Sequence, residues 1–202
     1  MLAVRRELSH ASYRNGDVYL IYQALFNLNS MTNSQTVHLI YGPTAAGKST
    51  YANTLANKTN AVRFAIDDWM HSLYGEDRPE KMDMAWVTER ITRCQSRIWS
   101  TCLQILASGT NVVLELGLLR ENDRDRMKSV VEDAGHKVLF TFVDADLRVR
   151  KQRVLHRNME KGETFSFNVT PAMFDAMEMH FERPTEKELA RSLVISEESK
   201  HG

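Results

Sequence analysis

An α/β domain built on a parallel sheet is the fold class the sequence predicts, on three observations. From residue 36 onward, the runs "TVHLIYG", "AVRFAID", "NVVLELG", "KVLFTFVDA" and "RSLVIS" alternate with helical patterns. The runs are nearly continuous in apolar residues, as strands covered on both faces are. The first of them leads directly into Gly42-Pro43-Thr44-Ala45-Ala46-Gly47-Lys48-Ser49-Thr50, which has the glycine spacing and the Lys-Ser ending of a phosphate-binding P-loop. That motif is expected between a strand and a helix, and "TVHLIY" before it and "KSTYANTLANKT" after it read as those two elements.

Residues 1–30 precede this pattern and do not share it. Their apolar patch "VYLIYQALF" is broken by Gln23 and followed by "FNLNS", which is a poor cleavage site, so a signal peptide is not the reading. The expectation is that residues 1–30 are either a loosely attached N-terminal extension or a stretch upstream of a natural start at Met31, with the P-loop domain over 31–202.

In the P-loop, Gly42 to Thr50, the glycines let the chain turn so that consecutive backbone N–H groups face phosphate oxygens. Lys48 can reach the β- and γ-phosphates, and the hydroxyl of Ser49 can ligate Mg²⁺. In parallel sheets ligands sit beyond the carboxyl ends of the strands, so the residues that follow each run are the ones to inspect. The second run ends in Asp67 and Asp68. Adjacent carboxylates point in different directions. Asp67, taken as the last residue of the strand, is expected to face the phosphates and accept a proton from an attacking hydroxyl. Asp68 is expected to cap a helix beginning at Trp69. The alternative is that both only cap and solvate the turn.

The next helix is predicted over roughly Met84 to Ala107, with Ile91, Cys94, Ile98, Cys102 and Ile105 on one side and Arg90, Arg93 and Arg97 on the other. Gly109 falls near its C-cap. The third run ends at Glu115, where a P-loop protein places the carboxylate that orients Mg²⁺ or its waters. "LLRENDRDRMKS" then opens a helix with Arg120, Arg124 and Arg126, some of them surface charges. After the fourth run, Arg150, Arg153 and Arg157 fall on one helical stripe. A charge stripe is usually a solvated face, but this one follows the strand where a phosphate-closing lid would start. Arginine suits bidentate phosphate contact and the charge of a phosphoryl-transfer transition state. Arg153 and Arg157 are the expected contacts.

Composition narrows the function classes. The 202-residue chain holds 26 basic and 26 acidic side chains, a balance that argues against gripping nucleic-acid backbone as its main task. No stretch approaches the roughly 20 apolar residues of a membrane span. Cys94 and Cys102 would sit about 12 Å apart on one helix, too far for a disulfide, and buried thiols fit a reducing cytosol. The seven histidines do not pair at metal-ligand spacing.

With these residues in view, the chain resembles the P-loop kinases that include the polynucleotide 5′-kinases, the zeta toxins and chloramphenicol phosphotransferase. The resemblance covers residues 36 to about 190. It rests on "GPTAAGKST", "IDDW", "VVLELG", "DADLRVRKQRVLHRN" and, more weakly, "FERPTEKE". It implies a P-loop NTPase three-layer sandwich whose five parallel strands run in the order 2-3-1-4-5, with an arginine-bearing helical lid. It implies ATP as donor, Asp67 as base and an Arg-x-x-x-Arg lid motif at Arg153 and Arg157. Phe181, Glu182 and Pro184 resemble the segment leading into the last strand. The chain departs from the polynucleotide kinases at Met70, where they tend to carry a phosphate-gripping Arg, and at Glu115, where Asp is commoner. Acceptor specificity in this group lies between the second and third strands. Here that segment mixes acids, arginines, Trp69 and Trp86, which suits a polar small molecule with a flat or apolar part.

The leading expectation is therefore a cytoplasmic, Mg²⁺-dependent kinase moving the γ-phosphate of ATP to a hydroxyl of a small molecule. A toxin-like sugar-nucleotide kinase is a variant of it. A nucleotide-hydrolysing switch acting through a partner is the alternative, although a switch needs neither a strand-end base nor a lid stripe. Nucleic-acid end repair is the weakest reading, given the balanced charge and Met70.

Overall fold

The computed structural model of the chain describes residues 34–79, 81, 83–160 and 168–197. The expectation about residues 1–30 lies outside the described residues. Five strands form the sheet: β1 (Thr36–Tyr41), β2 (Val62–Ala65), β3 (Val112–Glu115), β4 (Lys137–Ala145) and β5 (Ser192–Glu197). All neighbours pair in parallel, in the order β2-β3-β1-β4-β5. The family-implied topology is thus observed. The registers Leu39↔Leu114 and Ala65↔Glu115 bring the ends of β1, β2 and β3 to one rim of the sheet.

Seven helices are described: α1 (Lys48–Thr59), α2 (Ile66–Tyr74), α3 (Met84–Ala107), α4 (Glu121–Asp133), α5 (Leu147–Glu160), α6 (Pro171–His180) and α7 (Glu186–Ala190). The two-residue period of the strands sorts the core into layers. Val37, Leu39, Tyr41, Val112, Leu114, Phe140 and Phe142 pack with Cys94, Ile98, Cys102 and Leu106 of α3 and Val131 of α4. Ile40, Val113 and Val143, pointing to the other face, pack with Ala52 and Ala56 of α1. Continuous apolar runs arise because both faces are covered. The span Met84–Ala107 matches the sequence expectation, and its start is fixed by Asp83, which accepts from the N–H groups of Ala85 and Trp86.

Cys94 and Cys102 are free and buried, and burial pushes the Cys102 thiol up to about 12. The thiolate is the reactive form. The folded protein should therefore resist alkylation by iodoacetamide at pH 8, and both thiols should label once it is unfolded, which mass spectrometry of the two samples reads directly.

The segment between α6 and α7 is tied back to the loop after β3. Glu182 donates its N–H to Leu119 O (2.9 Å), and its side chain accepts from Glu121 N (2.9 Å). Phe181 stacks on Phe142 at 6.4 Å. Thr185 and Glu188 form a capping box at α7. Of the arginines opening α4, Arg124 is no surface charge. It is fully buried and ion-paired to buried Glu188, Nε to Oε1 at 2.6 Å and Nη2 to Oε2 at 3.0 Å. The sequence pattern could not assign this role, because Glu188 is remote in the chain.

Candidate active site

The site lies at the rim where β1, β2 and β3 end. After Tyr41 the chain enters the loop through Gly42, whose φ is +150°. A Cβ there would stand 2.0 Å from the carbonyl oxygen of Val143 on β4, so only glycine lets the loop pass this close to the sheet. Gly42→Ala should cost on the order of 3 kcal/mol, the upper end of overpacking penalties, and should weaken nucleotide binding. Urea unfolding with and without ADP checks both.

Ala45 (φ +61°) and Gly47 (φ +102°) also take left-handed backbone, the alternation that makes an anion-binding nest. Gly47 caps α1 without any side-chain bond, which leaves the first-turn N–H groups of α1 to a ligand. Lys48 Nζ donates to Pro43 O across the loop (2.8 Å). Ser49 Oγ donates to Glu115 Oε2 (3.0 Å). Glu115 ends β3 and is 6% exposed. Its other oxygen is held by Arg63 of β2, at 2.7 Å from Nε and 2.7 Å from Nη2.

Asp67 departs from expectation in its local structure. β2 stops at Ala65 and the helix starts at Ile66, so Asp67 and Asp68 both lie in the first turn of α2 rather than before a helix at Trp69. No side chain caps α2, and Asp68 accepts from Arg63 Nη1 (3.1 Å) instead of capping. The helix dipole favours two carboxylates there. Asp67 is exposed at the rim of the sheet but crowded on its protein side. That crowding raises its pKa, with Asp68 adding to the effect and Lys48, Arg157 and Arg63 opposing it. Lys48 shows the mirror image. Burial lowers its pKa, and Asp67 and Glu115 pull it back up. Burial also lowers Arg157, whose charge is supported by Asp67. Lys48, Asp67, Glu115 and Arg157 therefore share one electrostatic neighbourhood.

The arginine stripe on α5 divides three ways. Arg150 is fully buried and bonded to Glu178 on α6 (2.6 and 2.8 Å), to Ala145 O and to Thr44 O. It braces the back of the loop. Arg153 Nη1 donates to Ala46 O (3.2 Å) and Ala45 O (3.4 Å). Arg157 is the member that feels Asp67. Arg63 escaped the sequence reading; the available signal was a charged residue inside the apolar run "AVRFAID".

The aromatic residues of the segment between β2 and β3 are engaged with one another. Arg90 lies over the Trp86 ring at 4.0 Å and over Tyr74 at 5.5 Å, and Trp69 packs on Phe64. For a metal, the donors present are the Ser49 hydroxyl and the Glu115 carboxylate, and among the described residues no group of three His, Cys, Asp or Glu stands ready to cage an ion. A sparse set of hard oxygen donors fits Mg²⁺, which keeps its waters and takes phosphate oxygens as partners. No described helix is long and apolar enough to cross a membrane.

A family model described as an AAA domain matches residues 37–184. Among solved structures, a protein from Chloroflexus aurantiacus J-10-fl is similar with a TM-score of 0.63 at 17% identity, over 81% of this chain and 89% of that one. A gluconokinase from Sinorhizobium meliloti 1021 is similar with a TM-score of 0.53 at 17% identity, over 81% and 83%. The Mycobacterium tuberculosis APS kinase CysC, solved with AMPPNP and APS, is similar with a TM-score of 0.55 at 19% identity, over 83% and 91%. No curated protein matches the sequence. At these identities the likeness is one of fold, and the fold is that of the P-loop kinases.

Proposed function

We propose, from the premise that the chain belongs to this AAA domain family, that it is an ATP-dependent phosphotransferase acting on a hydroxyl of a small polar molecule. The single observation that carries the reading is the placement of Asp67, in the first turn of α2 at the rim where the P-loop begins, in one electrostatic neighbourhood with the P-loop lysine and a helix-borne arginine. A nucleotide-hydrolysing switch has no use for such a base. That AMPPNP occupies the similar APS kinase and that gluconokinase shares the fold support ATP as donor and a small-molecule acceptor.

In this reading the backbone N–H groups of Thr44 to Thr50 hold the triphosphate, and Lys48 exchanges Pro43 O for phosphate oxygen. Ser49 and Glu115 would hold Mg²⁺, which when bound neutralises charge on the β- and γ-phosphates. Asp67 takes the proton of the acceptor hydroxyl as its oxygen bonds to the γ-phosphorus. The bond from that phosphorus to the β-phosphate oxygen breaks, and ADP leaves. Arg157, with Arg153 beside the loop, offsets the charge on the transferring group.

The test is ADP release and γ-label transfer with fractionated metabolites as acceptors. Release that rises with one fraction, with label recovered in a new phosphate ester, is the expected result. Release at the same rate with every fraction, with label only in free phosphate, would favour the switch.

A further inference from the structure

Arg63 occupies a place that the proposed chemistry does not yet use. It projects from β2, and its guanidinium spans two carboxylates at the site. Nε and Nη2 both lie 2.7 Å from Oε1 of Glu115, and Nη1 lies 3.1 Å from Oδ2 of Asp68. Only Oε2 of Glu115 is left to accept from Ser49, at 3.0 Å. The Arg63 side chain is 19% exposed and that of Glu115 is 7% exposed, so the pair is shielded from the water that would otherwise screen it. Without Arg63, Glu115 would keep the Ser49 hydroxyl at Oε2, and the charges of Glu115 and Asp68 would both lose the guanidinium they share.

We propose that Arg63 is a positioning residue that sets both the geometry and the strength of the metal site. Its fork saturates Oε1 of Glu115 and so aims Oε2 at Ser49. Its charge offsets the two carboxylates, so that a divalent ion is held mainly by phosphate and water rather than drawn onto the protein. A planar fork that sets two donors on one oxygen of Glu115 and a third on Asp68 is a task for arginine; lysine supplies the charge without the fork. The inference rests on the kinase reading only for its kinetic consequence.

The experiment titrates Mn²⁺ into the full chain in the presence of ADP, reading free Mn²⁺ by electron paramagnetic resonance. Removing the positive charge that Arg63 holds against Glu115, with partial screening, should tighten Mn²⁺ binding roughly tenfold in Arg63→Met. Arg63→Lys should bind Mn²⁺ like the wild type, and adding Glu115→Gln to Arg63→Met should abolish the gain. Once an acceptor is in hand, kcat should fall in both single variants, whereas the half-saturating metal concentration should fall only in Arg63→Met. Unchanged or weaker Mn²⁺ binding by folded Arg63→Met would overturn the proposal, as would a gain that survives Glu115→Gln. Should Arg63→Met not fold, Arg63→Gln removes the same charge and is read in its place. A chain that shows the metal response yet transfers phosphate to no acceptor would sink the kinase reading and leave this inference standing.

Discussion

Asp67→Asn should lower phosphate transfer by roughly 10²–10⁴-fold while leaving ADP binding near its wild-type value, because a positioned general base contributes to the transition state and not to nucleotide affinity. The pH profile gives the same residue a second signature. Asp67 acts only when ionised, and desolvation by the protein crowded on its inner side holds its pKa above the ordinary aspartate range. Activity should rise with pH through that raised pKa, placing the acid limb higher than an exposed aspartate would. The limb should vanish in the asparagine variant. Stability should move the other way. A carboxyl group whose folded pKa is raised opposes folding at any pH above its unfolded value, since the folded state then holds a charge it disfavours. Replacing it with neutral asparagine should therefore raise the melting temperature at pH 7. A residue that only capped α2 would do the opposite, losing stability with little loss of transfer. Melting curves and kcat against pH, measured on both proteins, decide between the two.

Glu188→Ala should destabilise the domain by roughly 3–5 kcal/mol, the usual cost of stranding one partner of a buried ion pair. Arg124 would keep the carbonyl oxygens of Leu119 (3.1 Å) and Leu118 (3.4 Å) and its place over the Tyr41 ring at 5.0 Å, but its charge would have no counter-ion at that site. At about 2–4 °C per kcal/mol for a chain of this size, the melting temperature should fall by roughly 6–20 °C. Substituting both partners, Arg124→Met with Glu188→Leu, should recover most of the loss, because an apolar pair needs no compensation. Burial alone would raise the pKa of Glu188. The Arg124 hydrogen bonds and the Thr185 N–H outweigh burial and leave it below the ordinary range. The pair's contribution is thus present above the unfolded pKa of glutamate and is lost as pH falls through the depressed folded value. Urea midpoints across pH 2–6 should accordingly show a shallower acid limb in Glu188→Ala.

The outline of the fold and the phosphate cradle are written locally. Apolar runs covered on both faces, a helix such as Met84–Ala107 with its capping Asp83, and the Gly42-to-Thr50 spacing depend on neighbours within a few residues of one another. One-dimensional pattern therefore sufficed for them. The strand order came from resemblance, since periodicity alone does not tell β1 to lie between β3 and β4. What the pattern missed are contacts between distant residues. The start of α2 at Ile66 moved both aspartates from a strand end into a helix turn. Nothing near Arg63 in sequence announced Glu115, 52 positions on. Three arginines on one stripe of α5 were assigned different partners by what packs against each: Glu178 for Arg150, the loop carbonyls for Arg153 and the field of Asp67 for Arg157. Spacing fixes which side chains share a face of a helix. Only the tertiary structure fixes which charges and carbonyls that face meets, because electrostatic partnership depends on distance in space and on the exclusion of water.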